Sequence, residues 1–221
     1  MSSIDNPILT QTAAVSPRFS MPEAAERAAG FAMLALATPV IAASAAVVRL
    51  LSRRSPFIAH LRVGRDGKPF WTLKLRTMWK PGEPEPVASA RWIEYIVAEP
   101  DQDAKDGSDP RIASRFAAFC RRHSIDELPQ LWHVARGDMS LVGPRPLTRS
   151  EVEKHYGVRA CELLSVKPGI TGLWQVYGRS AIRFPQRSAM DLEMVRALNA
   201  RMYLQILWRT VPAIVRGNGA W

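Results

Sequence analysis

Asp126 and Glu127 stand side by side after Ser124-Ile125, and Gly143-Pro144-Arg145-Pro146 follows about one short helix later. An adjacent carboxylate pair can supply a nucleophile toward phosphorus and oxygen ligands for a hard cation. An arginine locked between two prolines has little freedom to lose when its planar fork meets phosphate oxygens. Lys74 and Arg76 fall on one face of a strand by period two, where they can meet pyrophosphate. Arg121 and Arg122 come just before the acidic pair, placed to hold it or a substrate phosphate. Each of these has a plainer reading when taken singly: an acidic helix start, a surface turn, a solvated strand face.

The local signals around the pair allow two arrangements. Ser124 and Glu127 have the spacing of a capping box, which puts Asp126 in the first turn of a helix. Alternatively Pro129 is the first helical residue and the acids lie just ahead of it. In both, the carboxylates sit near the positive end of a helix dipole, which favours their ionised form.

The supporting elements read as an α-rich α+β fold. Residues 61–63 and 69–76 are two strands around an Asp66-Gly67 hairpin signal. Residues 78–109 form a loop-rich insertion with one helix near 89–98. Further helices are expected over 112–122, 128–135 and 149–164. Lys167-Pro168 starts a turn that leads into a short strand ending near Trp174. Residues 183–215 form a long Arg-studded amphipathic stretch, and Pro212 bends or ends its last helix.

An uncharged stretch runs from Ala28 to Val48. As a helix it is about 31 Å long, enough to span a bilayer core. Pro39 interrupts it at mid-length, and the Thr38 hydroxyl can satisfy a freed carbonyl. Arg49, Arg53 and Arg54 favour the cytoplasmic side for its end, while the N-terminal flank gives no strong opposite signal. A kinked span and a re-entrant helix broken at Thr38-Pro39 both fit, with a buried soluble helix as the third option. The organisation is therefore a polar, disordered stretch over 1–20, a membrane helix over 21–54, and a catalytic domain over 55–221.

Composition narrows the partners. The chain of 221 residues carries a net charge of +10, which calls for a polyanionic partner. Arginine dominates the basic residues and favours bidentate phosphate contacts. No helix-turn-helix, zinc spacing or aromatic RNA-binding signature is present, so nucleic acid is excluded as the partner. Cys120 and Cys161 form no CxxC, and His60, His123, His133 and His155 have no ligand spacing. They read as unpaired thiols and structural histidines.

Together these motifs resemble the bacterial sugar transferases, the monotopic phosphoglycosyl transferases. The likeness runs through Arg62 to Phe70, Lys74 to Met78, Asp109 to Ile112, Ser124 to Pro146 and Lys167 to Gln175. The resemblance implies an enzyme of the bacterial cytoplasmic membrane, with its catalytic domain on the cytoplasmic face. It implies transfer of a sugar phosphate from a UDP-sugar to undecaprenyl phosphate, with Mg²⁺ as cofactor and an anionic membrane surface as partner. Asp126 would be the nucleophile. Glu127 would be its partner in magnesium binding or proton handling. Pro144, Arg145, Pro146, Lys74 and Arg121 would lie near the nucleotide and phosphates. The family's helix break is Ser-Pro; Thr38-Pro39 keeps both hydroxyl and proline, which favours the re-entrant form. The short chain and its Gly217 to Trp221 ending look like the exopolysaccharide-initiating branch, which suggests a hexose. A non-catalytic membrane partner of an assembly complex is the second reading, which the intact acidic pair and Pro-Arg-Pro oppose. Self-association, the sugar and the role of 78–109 stay open.

Overall fold

A computed structural model describes residues 19–79, 91–97, 112 and 114–217. Of the stretch expected to be disordered over 1–20, residues 1–18 lie outside them, as do most of the 78–109 insertion and the last four residues.

Helix α1 (Glu23–Ser52) is unbroken through Thr38-Pro39, where a break was expected. The Thr38 hydroxyl donates to the Leu34 carbonyl at 2.7 Å, one turn back. By length and composition, α1 is long and apolar enough to cross a membrane. Its burial follows a helical stripe: Glu26, Gly30, Ser44, Ala45 and Val48 face the rest of the chain. Phe31, Met33, Leu36 and Val40 face outward. Buried Glu26 fixes the start of the helix. It accepts from the Leu141 amide at 3.0 Å and the Tyr203 hydroxyl at 2.7 Å, and also from the Ser140 hydroxyl. A buried polar group is tolerable only when satisfied in this way.

The hairpin is formed by β1 (Phe57–Val63) and β2 (Pro69–Leu75), antiparallel and in register from Phe57↔Leu75 to Val63↔Pro69. Asp66 and Gly67 take the positive φ values that the turn needs, 58° and 74°. A third strand, β3 (Ile93–Ile96), pairs parallel to β1 on the opposite edge. It corrects the helix expected near 89–98, within the part of that range that is described. Ile93, Tyr95 and Ile96 suit a strand, Trp71 meets Tyr95 edge-on at 4.9 Å, and Arg76 pairs with Glu94.

Helix α2 (Arg115–Arg122) leads into a 3₁₀ turn (Ile125–Gln130) and α3 (Leu131–Arg136). Strands β4 (Ser140–Val142) and β5 (Gly169–Thr171) form a second, parallel pair. The expected helix over 149–164 is split at Gly157, whose φ is 49°, into α4 (Arg149–Tyr156) and α5 (Ala160–Leu163). Trp174 belongs to α6 (Leu173–Tyr177) rather than to a strand. The amphipathic stretch is α7 (Gln186–Ala197) and α8 (Ala200–Arg216). Asn199 caps α8 by accepting from the Met202 amide at 3.0 Å, and α8 continues past Pro212. The main core gathers Leu131, Val134, Met139, Val142, Met194, Tyr203 and Ile206 between α3, β4, α7 and α8.

Candidate active site

The acidic pair lies in the 3₁₀ turn, and the expected capping box does not form there. Ser124 adopts φ 54° and makes no side-chain cap. Its hydroxyl accepts from Arg179 Nη2 at 2.6 Å instead. Glu127 turns away from its own helix start and is gripped by two cations. Lys74 Nζ lies 3.2 Å and Arg145 Nη1 3.0 Å from the same carboxylate oxygen, Oε1. Sequence positions 74, 127 and 145 thus meet at one point.

The segment carrying Arg145 is positioned by backbone contact. Gly143 N donates to the Thr171 carbonyl at 2.9 Å, and Gly169 N to the Pro144 carbonyl at 2.8 Å. A Cβ on Gly169 would come 2.1 Å from Gly143 N, and one on Gly143 2.6 Å from the Lys167 carbonyl. Only glycine permits that approach. Just past Pro146, the Leu147 carbonyl accepts from Val63 N at 2.9 Å, which ties the segment to the end of β1. Lys74 reaches the site from β2. His133 of α3 holds that strand, accepting at Nε2 from the Leu73 amide at 3.1 Å.

Electrostatics divide the two carboxylates. Burial and the adjacent Glu127 charge push Asp126 above the usual carboxylate range, against the opposing field of Lys74, Arg121 and Arg145. Burial also acts to raise Glu127, but Arg145 and Lys74 outweigh it and hold Glu127 well below that range. Burial lowers Lys74, with Arg145 and Arg62 acting in the same direction. The expectation that a helix dipole sets the Asp126 carboxyl is corrected: desolvation and a like charge dominate a short 3₁₀ turn and raise it to about 6, which still leaves it mostly ionised at neutral pH. The buried Cys120 thiol is pushed up to about 11, by burial first and then by Asp126.

The remaining sequence candidates separate. Arg121 sits beside the pair, with Nη1 3.1 Å from Met78 Sδ. Its buried Nε has no hydrogen-bond partner among the described residues. Arg76 lies past the end of β2, and its guanidinium holds the Ser55 carbonyl at 2.7 Å and Glu94. It is not brought to the acidic pair. Arg179, unmarked in the sequence reading, is half-buried in the field of both carboxylates. Its only local signal was a Gly178-Arg179 step after α6.

Cations outnumber carboxylates here, with Lys74, Arg121, Arg145 and Arg179 around Asp126 and Glu127. Such a site has room in charge for a phosphorylated substrate. A comparison with known families matches residues 19–217 to the bacterial sugar transferases. The chain belongs to the bacterial sugar transferase family.

Named relatives agree. A UDP-galactose-lipid carrier transferase of Erwinia amylovora is 37% identical over 198 residues, covering 85% of this chain and 39% of the relative. The exopolysaccharide production protein ExoY of Rhizobium meliloti is 36% identical over 194 residues, covering 88% of this chain and 84% of the relative. An undecaprenyl-phosphate galactose phosphotransferase of Salmonella typhimurium is 38% identical over 170 residues, covering 73% and 34%. The chain thus spans well under half of two of these bacterial sugar transferases and most of the third.

Proposed function

We propose that this chain is a phosphoglycosyl transferase that moves a sugar 1-phosphate from a UDP-sugar to undecaprenyl phosphate and releases UMP. The observation that carries this reading is the convergence of Lys74 and Arg145 on Glu127 beside a buried Asp126. The names of the relatives support the substrate classes, and that of ExoY supports a place in exopolysaccharide production. A hexose is the sugar these names favour.

Two displacements at one phosphorus account for the chemistry. An Asp126 carboxylate oxygen attacks the β-phosphorus of the UDP-sugar. The bond to the bridging oxygen breaks, and UMP leaves with that electron pair. A lipid phosphate oxygen then attacks the phosphosugar–aspartate. The aspartyl bond breaks and frees Asp126, which predicts ping-pong kinetics. Glu127 holds Lys74 and Arg145 where charge develops on the phosphoryl oxygens, and the unpartnered Arg121 Nε is a further donor toward them. The donor set fits Mg²⁺, which takes one or two carboxylates together with substrate phosphates. Asp126 and the second oxygen of Glu127 would hold it, and it would neutralise phosphate charge when bound. No cluster of three or more His, Cys, Asp or Glu that could bind a metal occurs among the described residues, so substrate oxygens must complete such a site.

The placement follows the same logic. The buried stripe of α1 runs from Glu26 to Val48, which favours both helix ends on the domain's side of a membrane. Its outward Phe31, Met33, Leu36 and Val40 would enter one leaflet, giving a monotopic protein on the cytoplasmic face. Trp208, Leu204, Val211 and Val215 form an exposed stripe on α8 that suits a lipid interface, with arginines for anionic headgroups.

The test uses purified protein, Mg²⁺, undecaprenyl phosphate and a panel of UDP-sugars. Expected is UMP release with one of them, together with a sugar-phosphate adduct on Asp126. Absence of UMP with every sugar would sink the proposal.

A further inference from the structure

The turn that leads into the acidic pair is fastened to the last turn of α8. His123 Nδ1 donates to the Ile214 carbonyl at 2.8 Å. Arg179 Nη1 donates to the Ala213 carbonyl at 3.0 Å and to the Arg122 carbonyl at 3.2 Å, while Nη2 holds Ser124. Gly217, at φ 62°, lies so close that a Cβ there would come 2.3 Å from Arg122 Cγ. The last carbonyls of a helix lack intrahelical partners and favour cations. In α8 the Ala213 carbonyl is shared between the Gly217 amide and Arg179, and the Ile214 carbonyl is met by His123 of the catalytic turn. The same helix exposes Leu204, Trp208, Val211 and Val215 on its outer side.

We propose that Arg179 is a positioning residue that couples α8 to the acidic pair. Seating the exposed stripe of α8 on a membrane fixes Ala213 and Ile214. Through Arg179 and His123 it then fixes Ser124 and the carboxylates two and three residues beyond. This rests on the membrane transferase reading given above. Ser124 and Arg179 both hold left-handed backbone, with φ of 54° and 49°. Non-glycine residues persist there only when their surroundings hold them, and the Arg179–Ser124 bond joins the two strained residues directly. One planar guanidinium spans three acceptors, on the α2 exit, the Ser124 turn and α8. An ammonium cannot reproduce that fork.

The experiment compares full-length wild type, Arg179→Gln, Arg179→Lys, Ser124→Ala and the S124A/R179Q double variant. All are placed on anionic phospholipid vesicles containing undecaprenyl phosphate, with the UDP-sugar that wild type accepts. Arg179→Gln is expected to lower kcat about 100-fold, the scale of a small misplacement of reacting groups. KM for the UDP-sugar should stay within about two-fold, and vesicle binding should not change. Arg179→Lys should remain defective, and the double variant should be no slower than Arg179→Gln alone. A raised KM with retained kcat would make Arg179 a substrate ligand and overturn the proposal, as would rescue by lysine. Amide hydrogen exchange supplies a readout without substrate. Vesicles should slow exchange over residues 124–130 in wild type and not in Arg179→Gln; equal slowing overturns the coupling. If wild type released no UMP, the transferase reading would fail while this readout still decided the coupling. If Arg179→Gln did not fold, Ser124→Ala would carry the same test with the same sign.

Discussion

Two segments of this chain share the spacing Ser/Thr-x-x-Glu, and they end in opposite arrangements. At Thr148-Arg149-Ser150-Glu151 the box closes: the Thr148 hydroxyl accepts from the Glu151 amide at 3.2 Å, and Glu151 accepts from the Thr148 amide at 2.8 Å. At Ser124-Ile125-Asp126-Glu127 it stays open. Ser124 is taken by Arg179, and Glu127 by Lys74 and Arg145. The spacing alone fits either outcome. What differs is the cation supply: β2 and the Pro-Arg-Pro segment deliver two charges to Glu127, and a charge-assisted pair outcompetes a backbone amide. A cap consumes its carboxylate locally, whereas a site leaves it pointing away from its own helix.

The largest effect that separates the segments is on turnover. Asp126→Asn should cut UMP release by more than about 1000-fold while circular dichroism stays unchanged. The folded-state pKa of Asp126 is raised above its unfolded value. Its contribution to stability is therefore full below about pH 4 and lost as pH rises through the folded value. Asp126→Asn should accordingly melt at the same temperature as wild type or higher at pH 8, with the gap closing toward pH 4. A lower Tm at pH 8 would contradict the assigned direction. Next comes the grip on Glu127. Lys74→Met or Arg145→Met should cost about 100-fold in kcat. Each should also cost about 1–3 kcal/mol of stability, since Glu127 keeps only one of its cations, as read by urea unfolding.

Smaller effects probe the closed box. Thr148→Ala should cost about 1 kcal/mol with kcat unchanged. Ser124→Ala should do the reverse, slowing turnover with less than about 0.5 kcal/mol of destabilisation, because Ser124 caps nothing. Equal stability losses at the two positions would erase the distinction. The finest test is a pH–rate profile. The acid limb of kcat/KM should lie above the ordinary carboxylate range, with activity rising as Asp126 ionises. Lys74→Met removes a charge that favours ionisation and should move that limb about one pH unit higher.

Much of the site was legible because it rests on residue types that have few other uses together. The Asp-Glu pair, the Pro-locked Arg145, and Lys74 on a hairpin strand were all readable from spacing, and they meet at one carboxylate. Arg76 followed the same period-two rule and still ended elsewhere, because the strand stops at Leu75 and Glu94 of β3 captures its guanidinium. That strand was invisible in a Pro-rich insertion, since four residues are too few to show alternation. Arg179 was missed for another reason. Its role depends on the end of α8 folding back over the 122–124 turn, a long-range contact that no local pattern encodes. The sign of the Asp126 shift was missed too, since burial and neighbouring charge are properties of the assembled site.

The contact between Gly143 and Gly169 also has a consequence for how this chain can change over generations. Most sites are tuned by trading side-chain volume near the ligand. Here the seam beneath Arg145 is main chain against main chain, with no volume to trade and no rotamer to relax. Replacement of either glycine moves the whole arginine fork in one step, so the seam behaves as an all-or-none joint rather than an adjustable one. Under the proposed reaction, a change of sugar would then have to be made elsewhere on the rim, leaving the arginine fork in place.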